Sequence, residues 1–160
     1  SNFTEEALIA TNNGELLNKF GNLVNRTLKF KELYEVPDGK LDEDIKNKIE
    51  ETYKLVGENI EKLEFKEASN KAMELVEIAN KYYDEQKPWI QKKENIEEFN
   101  NTIYTCAVII ANLSNIFEPF MPSACEKIRK YLNIENKAWE LIAPEIGLKL
   151  ENIEPLFSRM

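Results

Sequence analysis

Five polar residues near the start of the chain have types and a spacing that suit recognition chemistry. At about 100° per residue, Asn18, Asn22, Asn25, Arg26 and Lys29 fall within a helix sector of about 100°. An asparagine amide offers a paired donor and acceptor, and an arginine offers a rigid fork of donors. Together they match the hydrogen-bonding edge of an unstacked base. Asparagine is a poor helix former, and residues 42–54 show that this chain builds an ordinary solvent face from Lys and Glu. Periodicity alone leaves two readings open, a solvated face in an Asn-rich chain or a hydrogen-bonding surface. Trp89 poses a similar choice. It follows Pro88 in a corner between helices, with Lys87, Lys92 and Lys93 around it. There it is either a plug for the core or a platform for stacking a base, the latter worth about 1–3 kcal/mol.

Other chemistry is removed by composition. The chain has no histidine, which excludes Ser-His-Asp and Cys-His nucleophiles. It also excludes the His-containing zinc sets, and two cysteines are too few for a zinc site built from cysteine alone. The five glycines are scattered singly, so no phosphate-cradling Gly-rich loop is present. Glu-rich runs such as 94–98 read as a helix N-terminus complementing its own dipole rather than as an acid/base pair. The expectation is a chain with no catalytic centre and no bound cofactor of its own. A net charge of −8 argues against binding nucleic acid through a general positive field, so any RNA contact must be local. No DNA partner is expected. Cys106 and Cys125 fall on apolar helix faces and read as buried free thiols in a reducing compartment.

The elements that must position these residues are helical. With 160 residues, 42% hydrophobic and 31% charged, the chain is most simply one domain with a real core. No apolar run reaches the roughly 18 residues of a membrane span, and the N-terminus lacks the pattern of a signal peptide. The chain therefore reads as cytoplasmic, with Ser1-Asn2 as a tag scar and the Asn-x-Ser/Thr triplets at Asn2, Asn25 and Asn112 as chance. Thr4 caps a short helix over 5–10, and Asn12 with Glu15 forms a capping box. The next helix carries Leu16, Leu17, Phe20, Leu23, Val24 and Leu28 on its apolar face and ends near Phe30, before a turn at Val36-Pro37-Asp38-Gly39. A second long helix carries Ile45, Ile49, Thr52, Val56, Ile60 and Leu63. A third carries Phe65, Ala68, Ala72, Leu75, Ala79 and Tyr82. Pro88 breaks the pattern. A fourth helix, about 96–117, is apolar on nearly every side and is the central element, and Pro122 opens a fifth that runs to about Leu132. The fold class is an all-α bundle of about five helices, with 139–160 as a tail packing on it.

The order of these motifs resembles a known family. The run Asn18-Lys19-Phe20-Gly21-Asn22-Leu23-Val24-Asn25-Arg26-Thr27 looks like the first-helix signature of the anticodon-binding domain of methionyl-tRNA synthetases. Tyr83-Asp84-Glu85-Gln86-Lys87-Pro88-Trp89 resembles its second signature. Residues 113–122 are similar to the exit of its fourth helix, and Glu154-Pro155-Leu156-Phe157 to its tail. The resemblance covers the whole chain. It implies a domain that reads the CAU anticodon of methionine tRNAs. Trp89 would stack on the first anticodon base, Pro88 would hold the Trp, and Asn22 and Arg26 would bond the cytosine edge. Asn18 and Asn25 would be helpers, and Gly21 would let helices approach. It also implies a parent ligase that uses ATP and magnesium, and zinc where a zinc knuckle is present, with a separate catalytic domain as the partner of this one. Two other readings use the same residues. One is the anticodon domain of another class I synthetase; the other is a helical module that binds protein through an apolar patch at Trp89, Tyr82 and Tyr83.

Overall fold

A computed structural model of the chain describes residues 14–135 and 137–157, without the side chains of residues 15 and 16. The expected helix over 5–10, its Thr4 cap, and the Asn12–Glu15 capping box lie outside the described part. Six helices follow in order: α1 (Gly14–Leu28), α2 (Glu43–Glu61), α3 (Phe65–Gln86), α4 (Pro88–Glu94), α5 (Ile96–Ile116) and α6 (Pro122–Leu132). The five long ones form the bundle, with α2 packed on α3, α6 on α5, and α1 against both α3 and α5.

The apolar stripes meet where their periodicity directs them. Leu17, Phe20, Leu23, Val24 and Leu28 of α1 are all buried, as are Ile45, Ile49 and Val56 of α2. Helix α5 is the centre of the bundle: fourteen of its residues from 102 to 116 are buried, and only Tyr104 is partly open. Its start is set by Asn95, whose side chain accepts from the Glu98 N–H, with Glu97 and Glu98 in the positive first turn. Both cysteines are buried.

Several local expectations change. Leu63 and Phe65 do not extend the seams of α2 and α3. They stand at the hairpin tip, 74% and 50% exposed, and Leu63 takes a left-handed turn conformation (φ 61°) that ends the helical register. Pro88 does more than break a helix. It denies Lys87 the right-handed region, so Lys87 closes α3 in the left-handed one (φ 53°), and the fixed φ of Pro88 then opens α4. Residues 36–39 form an extended strap rather than a turn. The Val36 N–H donates to Leu148 at 2.8 Å, the Gly147 N–H donates back to Val36 at 2.8 Å, and Glu35 makes an isolated antiparallel bridge with Lys149. The helix periodicity of neighbouring segments carries no trace of this long-range pairing.

The segment after α6 is held by polar groups of the core. Asn112, fully buried on α5, accepts from the Ile142 N–H at 2.9 Å and donates to the Ile142 carbonyl at 2.8 Å. Asn115 donates to the Ala138 carbonyl at 2.9 Å. The Trp139 indole donates to the Tyr53 carbonyl at 2.9 Å and lies against α2 at Gly57, where a Cβ would stand 3.0 Å from the indole nitrogen. Farther along, Leu156 is buried and Phe157 packs on Phe20.

Candidate nucleic-acid interface

Helix α1 delivers the polar stripe to two different neighbours. Because its apolar side is buried against α3 and α5, the stripe faces outward, but its two edges diverge. Asn22 and Arg26 line a cleft of about 730 Å³ between α1 and α3, completed by Lys19, Glu74, Glu77, Asn80, Lys81 and Asp84. On the other edge, Asn18, Gly21 and Asn25 face Pro155, Leu156 and Phe157 of the tail across a smaller cleft, which Asn22 also borders. Asn22 and Asn18 are exposed, and Lys29 is exposed as well. Asn25 is half-buried, and its side-chain oxygen is enclosed without a hydrogen-bond partner. Gly21 meets no helix. An added Cβ there would find the Phe157 ring at 3.5 Å, an ordinary contact.

Arg26 is the most constrained member. Its guanidinium pairs with Asp84 on α3 and lies over the Tyr83 ring, 3.8 Å from the centroid. The Tyr83 hydroxyl donates to the Arg26 backbone carbonyl at 3.0 Å. Burial pushes the Tyr83 phenol pKa up, against the opposing pull of Arg26. Lower in the cleft, Asn80 donates to the Lys19 carbonyl at 3.1 Å, which leaves its own oxygen enclosed and unpaired. Here the cleft presents acceptors and donors from both helices, with charges of both signs.

Trp89 is not part of the cleft lining. It stands in the first turn of α4, 47% exposed, while Pro88 beneath it is buried. Its ring is 6.2 Å from that of Tyr83, with the planes inclined by 38°. Tyr83 is therefore the common neighbour of Arg26 and Trp89. Of the three lysines around the Trp, Lys87 and Lys93 are exposed. Lys92 is committed elsewhere: it donates to the Lys31 carbonyl at 2.6 Å and sits over the Phe30 and Phe99 rings. Its charge serves the corner between α1 and α5 rather than an open surface. Sequence reasoning gave no bonding role to Tyr83 or Asp84, because their partner is 57 or 58 residues away and only the packing of α1 on α3 joins them.

Among the described residues, no group of three His, Cys, Asp or Glu side chains is placed to hold a metal ion. No helix there is long and apolar enough to cross a membrane.

Comparisons with known proteins identify the family. A family model described as the anticodon-binding domain of tRNA ligase matches residues 42–152. A methionine–tRNA ligase of Bacillus cereus (strain Q1) is 42% identical over 163 residues, spanning 100% of this chain and 30% of that protein. One from Bacillus anthracis (strain A0248) is 42% identical over 165 residues with the same coverage. The chain thus spans about 30% of the length of the curated relatives it matches. Among solved structures, methionyl-tRNA synthetase of Mycobacterium tuberculosis bound by methionyl-adenylate superposes with a TM-score of 0.83 at 22% identity, over 96% of this chain and 34% of that one. The apo form of that enzyme gives 0.74 at 23% identity, over 96% and 33%. These two similarities establish a shared fold. With the family model matching well over half of its length, the chain belongs to the anticodon-binding domains of tRNA ligases.

Proposed function

We propose that this domain reads the CAU anticodon of methionine tRNAs on behalf of a methionine–tRNA ligase. The observation that carries the reading is that Arg26 and Trp89 lie against one residue, Tyr83. A donor fork for a base edge and a half-exposed indole for a base face are thereby brought to one place. Trp89 stacks on the first anticodon base, and Pro88 fixes its backbone. Asn22 and Arg26 bond the edge of that cytosine. Asn18 and Asn25 assist from the tail side of the stripe. Residues 1–160 act as one recognition unit, the segment from 139 onward being its packed tail. Recognition through hydrogen bonds and stacking suits a chain of net charge −8, which cannot rely on a positive field.

The catalytic step, with its ATP and magnesium and any zinc, belongs to a partner domain in the remaining length of such a ligase, acting in the cytoplasm. The 42% identity to methionine–tRNA ligases supports this assignment. Binding of a CAU stem-loop, compared with loops altered at the first anticodon base, tests it. Tighter binding of the CAU loop is expected; equal binding of CAU and scrambled loops refutes the reading. Binding of the CAU loop left unweakened by both Trp89→Ala and Arg26→Ala would favour a protein-binding role for that surface.

A further inference from the structure

Three contacts converge on Tyr83, a side chain only 4% exposed. Its ring underlies the Arg26 guanidinium at 3.8 Å. Its hydroxyl donates to the Arg26 carbonyl at 3.0 Å. Its ring also meets the Trp89 indole at 6.2 Å between centroids. All three involve Arg26 or Trp89, the two residues that most need a fixed direction.

The backbone contact has a specific effect. Arg26 lies in the last turn of α1, where the final four carbonyls have no partner within the helix. The Lys29 N–H takes the Asn25 carbonyl at 2.9 Å, and the Tyr83 hydroxyl takes that of Arg26. The turn that carries Arg26 is thus tied to α3 rather than left to fray. The ring contact acts on the side chain. An arginine fork recognises a base edge only when its plane is fixed, and a phenol face below with the Asp84 carboxylate alongside leaves it few orientations. Trp89 is limited in the same way, by the left-handed Lys87 and Pro88 behind it and by Tyr83 on one side of its ring. Groups held in their bound arrangement lose less freedom on binding, which raises affinity without any new contact to the ligand.

We propose that Tyr83 is a positioning residue that sets Arg26 and Trp89 relative to each other, so that one single-stranded base is engaged by edge and by face at once. This rests on the base-recognition reading above. Tyr83 itself stays beneath the site and makes no contact with the RNA.

Two substitutions in the full chain test it. Tyr83→Phe removes the hydroxyl and keeps the ring, and Tyr83→Leu removes the ring as well. Each is measured alone and combined with Arg26→Ala, against stem-loops with cytosine or uracil at the first anticodon position. Circular dichroism and melting confirm the fold. Tyr83→Phe is expected to weaken binding of the cytosine loop several-fold, with the cytosine-to-uracil preference falling by the same factor. Tyr83→Leu should weaken it about tenfold, with the preference falling by less because the part lost through Trp89 is shared by both loops. In the Arg26→Ala background Tyr83→Phe should weaken binding no further, because the hydroxyl acts through Arg26, and Tyr83→Leu should weaken both loops only by what is lost through Trp89. A packing role alone would make Tyr83→Phe weaken both loops alike and persist without Arg26; that result overturns the proposal. If Tyr83→Leu fails to fold, Tyr83→Phe decides, and an unchanged preference there overturns it too. If the unsubstituted chain does not distinguish the two loops, base recognition itself fails and the positioning role falls with it.

Discussion

The side-chain amide of Asn112 pairs with both backbone groups of Ile142, accepting from its N–H at 2.9 Å and donating to its carbonyl at 2.8 Å. A core asparagine thus serves the segment after α6 as a neighbouring strand would. The same amide oxygen accepts from the Tyr53 hydroxyl at 2.6 Å, so one residue joins α2, α5 and the tail. Asn112→Leu leaves three buried polar groups without this partner, each costing about 1–3 kcal/mol. The expected loss of stability is at least about 3 kcal/mol, seen as a lower urea midpoint, with earlier proteolysis after residue 133. A midpoint within error of the unsubstituted chain would show that the tail docks without this bond.

Gly39 and Gly21 should respond in opposite ways to alanine. A Cβ on Gly39 would stand 2.3 Å from the Asn100 carbonyl oxygen and 2.8 Å from the Tyr104 Cβ. The first is backbone of α5, the most enclosed helix, and cannot yield easily. Gly39→Ala is expected to cost about 1–3 kcal/mol through overpacking. Gly21→Ala meets only the Phe157 ring at 3.5 Å and, lying within α1, should stabilise by about 0.5–1 kcal/mol through helix propensity. Thermal melts of the two variants decide it.

How far the sequence foretold these features depends on the range of the interaction. The bundle was legible because five helices bury regular stripes such as Leu17-Phe20-Val24, and because Pro122 and Asn95 mark their helix starts in the local sequence. The stripe through Asn22 and Arg26 was legible for the same reason. What was not legible is tertiary. Nothing near Lys92 shows that its ammonium will be taken by the Lys31 carbonyl, and nothing near Val36 foretells its pairing with Leu148. The division of the stripe, Arg26 toward α3 and Asn25 toward the tail, follows from where other elements pack. Periodicity locates a face without naming its neighbours.

Trp89→Ala separates stacking from base reading. With 47% of the residue exposed, its loss should change stability little. Stacking is tolerant of base identity, so binding should weaken by about 1–3 kcal/mol for loops of every sequence. Anisotropy titrations with cytosine-first and uracil-first loops should give parallel losses. No loss with either loop would remove Trp89 from the site.

Arg26→Lys should show the complementary pattern. Lysine keeps the charge but not the planar fork that matches a base edge. The preference for cytosine should fall about tenfold, equivalent to about 1.4 kcal/mol. The dependence of binding on salt should stay the same, since the number of positive charges is unchanged. A preference left intact, with both loops bound equally well or weakened alike, would mean that Arg26 meets phosphate and not a base.

Stability should decline at alkaline pH, and the buried acids fix the window. Burial pushes the Cys106 thiol from 9.0 up to about 12. It also pushes the Tyr53 phenol from 10.0 up to about 12, against the hydrogen bond from Asn115. For both groups the folded chain holds its proton to higher pH than the unfolded chain does. Above about pH 9 the unfolded state therefore binds fewer protons, and the free energy of unfolding falls as pH rises. The contribution is complete below about pH 9 and is lost progressively toward about pH 12. Urea unfolding at about pH 8, 9.5 and 10.5 should show this decline. Cys106→Ala should be less stable throughout, because it leaves a small cavity, yet flatter between about pH 9 and 10, because the unfolded chain then has one thiol fewer to ionise. Iodoacetamide should label Cys106 only after unfolding, since the reactive thiolate is suppressed in the fold. A stability unchanged from about pH 8 to 10.5 would mean that both groups reach water in the folded chain, contrary to their enclosure between α5 and its neighbours.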